Sequence, residues 1–154
     1  MIVEAEVTIQ GSRTALWAAI TDIENAAKII RGIERIEVLE KPAQGLAGLR
    51  WRETRMLFGK PATVEKRICD AAEAEFYETR AEDGGFEFLT TMRISEGRGG
   101  LTLTSSHESR PRGVAARVMS IPMALLFKGA IRKALLQDLN DIKAAVEQKS
   151  SVAA

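Results

Sequence analysis

The segment from Val114 to Gln148 constrains this chain more than any other. It is the only stretch long enough and apolar enough to hold a sheet around itself. Its C-terminal half is amphipathic: Leu135, Leu139, Ile142 and Val146 fall at i, i+4, i+7 and i+11, one stripe of an α-helix. Asp138, Asp141, Lys143 and Glu147 lie mainly off that stripe and are expected to face water. The N-terminal half, around Met119 to Phe127, is apolar almost all round. Such a segment is expected to be buried or to cover something apolar.

Upstream, the pattern changes to a period of two. Val3, Ala5, Val7 and Ile9 alternate with polar residues, which reads as a half-buried strand ended by Gly11. Ser12 is placed to cap a short helix carrying Leu16, Trp17 and Ile20, and Asp22 to cap a second one through about Ile30. Six strands follow. An irregular one holds Ile33, Ile36, Val38 and Leu39. The others run Leu49 to Phe58, Ala62 to Asp70, Ala74 to Ala81, Phe86 to Ile94 and Leu101 to Ser109. Gly-rich turns at 59–61, 82–85 and 96–100 join consecutive strands, which implies an antiparallel sheet. The expected architecture is therefore α+β. A seven-stranded curved antiparallel sheet surrounds a long C-terminal helix, with two short helices after the first strand. A curved sheet cannot touch one helix everywhere, so a cavity is expected between them.

The 154 residues suit one domain, 1–148, with a flexible tail at 149–154. A net charge of +1 gives no argument for nucleic acid. The single cysteine, Cys69, excludes an internal disulfide and favours a reducing, cytoplasmic setting. No basic and apolar leader is visible at the N-terminus. The run from Met119 to Phe127 is far short of the roughly 20 residues that span a bilayer. With one histidine and one cysteine, a His/Cys metal site is excluded, and no phosphate-cradling or zinc-protease motif is present. No metal and no cofactor is implied, and the oligomeric state is left open.

The order of elements, together with particular residues, resembles the START-like superfamily, also called the Bet v 1-like or helix-grip fold. Val7 to Glu24 resembles its opening strand and Trp-bearing helix. Gly48-Leu49-Arg50-Trp51-Arg52 resembles a strand start, Gly99 to Thr104 its last hairpin, and Asp138 to Glu147 its closing helix. Within the superfamily the likeness is to the bacterial polyketide cyclase/dehydrase-like and coenzyme Q-binding-like proteins. Residues 22–34 also look like the branch associated with carbon monoxide dehydrogenase. The chain departs from many relatives at Ala26-Ala27, where they carry an aromatic residue. The resemblance implies a cavity for a hydrophobic ligand, with or without chemistry.

Within such a cavity, strand parity nominates several side chains. Trp51, Glu53 and Arg55 share a face with Leu57, although the opposite register, with Arg52, Thr54, Met56 and Phe58 inward, remains open. A buried Glu53 or Arg55 would need a partner or a shifted pKa. Phe86, Phe88, Thr90, Met92, Leu103 and Ser105 complete the expected sheet lining, with Tyr77 a further polar anchor. Met119, Met123, Leu126 and Phe127 are expected to line it from the helix. His107 shares parity with Leu103. It is the one side chain suited to proton transfer near neutral pH, unless it is only a hydrogen-bonded histidine at a strand end. A pair with Cys69 would require a proximity that parity argues against.

Three functions follow from these residues. The first is binding, with or without transport, of a lipid, quinone or polyketide-like molecule. The second is a cyclase or dehydratase with His107 as acid/base and Arg55 or Tyr77 polarising a carbonyl. The third is a protein-interaction or membrane-recruitment module. From Ser109 to Gln137 no residue is acidic, while Arg110, Arg112, Arg117, Lys128, Arg132 and Lys133 are basic. Pro122 should break the helix there. A broken, apolar, basic-flanked segment suits a flap over the cavity or peripheral contact with an anionic membrane.

Overall fold

The computed structural model describes residues 1–57 and 59–153, without the side chains of Met123 and of residues 150–153. Strand β1 (Ile2–Ile9) leads into helix α1 (Arg13–Thr21) and a 3-10 helix at Ile23–Lys28. Six strands follow: β2 (Ile33–Glu40), β3 (Arg50–Leu57), β4 (Lys60–Ala72), β5 (Phe76–Asp83), β6 (Phe86–Gly97) and β7 (Gly100–Pro111). Helix α2 (Val114–Ala153) follows the last strand. The strands form one antiparallel sheet in the order β1-β7-β6-β5-β4-β3-β2. This is the expected curved seven-stranded sheet gripping a long helix.

Local chemistry sets most boundaries. Ser12 Oγ accepts from Ala15 N at 3.0 Å and starts α1. Asp22 does not cap the second helix as expected. Its carboxylate accepts instead from Asn25 Nδ2 at 3.0 and 3.1 Å, and the segment stays a short 3-10 turn. Gly84 and Gly85 both take positive φ (57° and 82°), which a tight hairpin turn between β5 and β6 requires. Ala74, expected inside a strand, also has φ 61° and lies in the turn before β5. Arg13 Nη1 donates to its carbonyl at 2.7 Å and holds that turn. β4 and β5 slip register between Ile68 and Asp70, so Cys69 sits at a bulge and faces out, with its thiol on Glu78. Cys69 and His107 therefore lie on opposite faces of the sheet.

The core forms where the α2 stripe meets β1, β7 and α1. Ile9, Leu16, Leu103 and Leu139 are completely buried, with Ile142 and Val146 close behind. Each such side chain contributes about 1.5–3 kcal/mol on burial. The polar residues beside the stripe do more than face water. Asp141 accepts from Arg31 N at 2.9 Å, Lys143 Nζ donates to Thr8 O at 2.7 Å, and Glu147 accepts from Gln10 N at 3.1 Å. They tie α2 to the start of β2 and to the end of β1.

The N-terminal half of α2 corrects one expectation. The helix bends by 73° between 114–122 and 124–149, at the proline that cannot supply its backbone hydrogen bond. That half is expected to be buried or to cover something apolar, yet Val118 is 67% exposed, Ile121 69% and Leu125 83%, so burial is not what it finds in this structure. Among the described residues no single helix is long and apolar enough to cross a membrane.

Candidate ligand cavity

A cavity of about 400 Å³ lies between the inner face of the sheet and the helical layer. Sites for small molecules span roughly 300–1,000 Å³. Ile20, Ile23 and Ile30 form one wall, and Leu135, Leu139 and Ile142 of α2 another. The sheet supplies alternate residues of five strands, as the two-residue period dictates. Small side chains at Ala19, Ala26 and Ala81 leave the space open. Leu57 lines the cavity while remaining 48% exposed, which places an opening at the β3–β4 hairpin.

The register of β3 is settled. Trp51 and Glu53 point inward and are buried, and Arg55 follows them into the cavity. Arg52 and Met56 are exposed, and Thr54 bonds Thr63 on the outer face. Phe58 lies outside the described residues. The inward trio builds a charged cluster with two residues from elsewhere. Glu53 Oε2 accepts from Arg55 Nε at 2.6 Å and from Lys66 Nζ at 2.7 Å, and Glu53 Oε1 accepts from Trp51 Nε1 at 3.3 Å. Arg55 Nη2 reaches Asp138 Oδ2 at 2.8 Å, joining sheet to helix. Burial alone would raise the Glu53 pKa, but Lys66 and Arg55 together hold it down to about 2. For Asp138 the balance reverses. Burial pushes its carboxyl above the usual range, Arg55 opposes that, and nearby Glu53 adds to it.

His107 stands across the cavity on β7. Its Nδ1 shares a 3.0 Å hydrogen bond with Thr90 Oγ1, its direct cross-strand partner. Its ring stacks on Phe88, with centroids 5.6 Å apart and 19° between planes. Burial, with help from the Lys66 and Arg55 charges, lowers its pKa to about 4, so the ring is neutral at pH 7. Tyr77 is spoken for, since its hydroxyl donates to Ile20 O at 3.1 Å. Ser105 and Thr79 are buried hydroxyls on the same inner face.

Of the residues nominated from sequence, Trp51, Glu53, Arg55, Phe88, Thr90, Met92, Ser105 and His107 line one cavity. Five others do not. Leu103 is completely buried in the core beneath the sheet end, and Phe86 stacks on the far side of Phe88 at 6.2 Å. Met119 and Leu126 are 57% and 73% exposed on the bent arm, and Phe127 is half-buried outside the lining. The bend at Pro122 sets Met119 apart from the lining part of α2, whereas Leu126 and Phe127 lie on the lining segment itself, ahead of its first lining residue Ile131. The Met123 side chain is outside the described residues. Lys66, Thr79, Asp83 and Asp138 are polar lining residues that the sequence pattern did not nominate. Lys66 shares parity with Val64 and Ile68, and that period of two is its signal in the sequence. Asp138 sits one residue from the buried Leu139, and nothing in the helix pattern marked it.

The fold and this cavity define a helix-grip protein of the START-like, Bet v 1-like class. Among solved structures, the chain is similar to the di-domain aromatase/cyclase StfQ from the steffimycin biosynthetic pathway, with TM-score 0.76 and 12% identity over 97% of this chain. It spans about half of that protein, covering 51% of its length. It is also similar to the Zhui aromatase/cyclase from Streptomyces sp. R1128, with TM-score 0.71 and 20% identity over 97% of this chain and 95% of the other. Ara h 8.0201 aligns with TM-score 0.68 and 18% identity, over 96% of this chain and 98% of the other. At these identities the likenesses establish the fold. No curated protein matches the sequence. The family model described as polyketide cyclase / dehydrase and lipid transport matches residues 1–147, and the chain belongs to that family.

Proposed function

We propose that this protein binds a hydrophobic or amphipathic small molecule, lipid-, quinone- or polyketide-like, in the cavity between sheet and α2. One observation carries the reading: an apolar cavity of about 400 Å³ with Lys66 and Asp138 gathered around Glu53 and Arg55. An apolar body fits against Ile20, Ile23 and Leu135. Both Glu53 oxygens are already engaged, so the cluster offers mainly donors, from Lys66 and Arg55. A carbonyl or carboxylate on the ligand suits that end. The test is binding of the aromatic anion 1-anilinonaphthalene-8-sulfonate, with native mass spectrometry of the purified protein before and after organic extraction. Saturable binding that disappears in Ala81→Phe is expected. No saturable binding and no extractable mass, or binding that survives the filled cavity, overturns the proposal.

A second reading, a cyclase or dehydratase acting on a polyketide-like substrate, is favoured by His107. It is neutral at pH 7, faces the cavity and is oriented by Thr90. In that reading Nε2 takes a proton from the carbon beside a carbonyl, while Arg55 holds the oxygen as it gains charge. Loss of turnover with retained binding in His107→Gln supports it. Unchanged turnover removes His107 from the chemistry.

A further inference from the structure

Among the described residues, six of the nine exposed large hydrophobics fall on the first part of α2. Val114, Val118 and Ile121 stand at i, i+4 and i+7 on the segment before the bend and are 79%, 67% and 69% exposed. That spacing is one helical stripe, here left uncovered. Met119 widens it at 57% exposed, and Leu125 and Leu126, 83% and 73% exposed, extend the apolar surface just past the bend. The charges on this part of the helix itself have one sign. Arg117, Lys128, Arg132 and Lys133 are all exposed, and residues 109–137 include no acid. The arm is not simply detached, because Ala116 on its other side is buried and Gly85 backs onto it. It is a helix with an anchored edge and an open apolar face.

We propose that this arm docks flat on the surface of an anionic lipid bilayer. An apolar stripe beside basic residues has the composition of a helix that lies in the headgroup boundary. The 73° bend after Pro122 favours lying in the surface over crossing it. The uniform positive charge selects an anionic surface and argues against a second copy of the chain, whose arm would repel it. Basic residues near such a surface are drawn to its negative charge, and salt weakens that attraction. The docking is independent of whether the cavity holds a ligand.

The experiment is co-sedimentation of the full chain with vesicles of phosphatidylcholine alone and of phosphatidylcholine with phosphatidylglycerol. In parallel, Leu125→Trp reports insertion through a blue shift of its fluorescence. Binding to the mixed vesicles is expected, at least about tenfold weaker on neutral ones and falling with added salt. Ile121→Ser with Leu125→Ser, both at exposed positions, should abolish sedimentation while thermal unfolding stays unchanged. Replacing Arg117, Lys128, Arg132 and Lys133 by Gln should weaken it at least about tenfold. No sedimentation with either vesicle, equal binding to both, or binding unaffected by the serine pair overturns the proposal. So does a stable dimer that the serine pair dissociates, since the arm would then be covered by its own kind.

Discussion

Arg55 Nη2 and Asp138 Oδ2 stand 2.8 Å apart, so one ion pair crosses the cavity from β3 to α2. The same guanidinium holds Glu53 through Nε at 2.6 Å. One arginine thus fixes the inner face of the sheet to the helix it grips, and the polar end of the cavity inherits its geometry from that link.

Gly32 tests the link without removing a charge. A Cβ there would lie 3.2 Å from Arg55 Nη1 and 3.4 Å from Asp138 Oδ1. Gly32→Ala should cost about 1 kcal/mol by crowding the pair. In an Arg55→Met background most of that loss should vanish, a coupling of at least about 0.5 kcal/mol in a urea-denaturation cycle. Strictly additive losses would mean that the crowding acts elsewhere.

Glu53 should carry stability that acid removes. Its folded pKa is about 2 against a reference of 4.5, because Lys66 and Arg55 outweigh its burial. A depressed carboxylate stabilises the fold above the unfolded pKa and loses that contribution as pH falls toward the folded one. The window is therefore pH 4.5 down to 2, and the size about 3 kcal/mol. Glu53→Gln should destabilise by a similar amount at pH 7, since Arg55 and Lys66 lose their shared partner. It should also flatten the curve below pH 4.5. An unchanged acid limb in the variant would contradict the assignment.

His107 should act over a different window. Its folded pKa of about 4 lies below the reference of 6.5, so the unfolded chain binds the proton first on acidification. Stability should fall as pH drops from 6.5 to 4 and level off below, as far as this one group is concerned. The difference in stability between wild type and His107→Gln isolates that slope. An imidazole NMR titration with a midpoint near 6.5 would show that the ring is not held as described.

Ala81→Phe should fill the cavity from the floor of the sheet. Ala81 is 7% exposed and lines the open space, so the added ring has somewhere to go. Thermal unfolding should shift little compared with overpacking a dense core, which costs about 1–3 kcal/mol. Occupancy by the anilinonaphthalene probe should fall at least about tenfold. A large loss of stability with binding intact would mean that the space is filled already.

The sequence by itself determined the elements and the architecture. The stripe Leu135, Leu139, Ile142 and Val146 needs one buried helix face. Each alternating run needs one inner sheet face, and the short Gly-rich turns leave antiparallel pairing as the only outcome. Ser12 marked where α1 begins. These are local signals, each carried within a few neighbouring residues. Tertiary structure decided what local period cannot. A period of two offers β3 two equivalent faces, and only pairing with β2 and β4 put Trp51, Glu53 and Arg55 inside with Lys66 beside them. Asp138 looked like a solvent residue because a helical wheel carries no knowledge of the arginine opposite. The apolar run after Val114 is read as buried or as covering something apolar, because hydrophobicity states a preference for burial. Whether anything lies within reach to bury it depends on where Pro122 turns the chain.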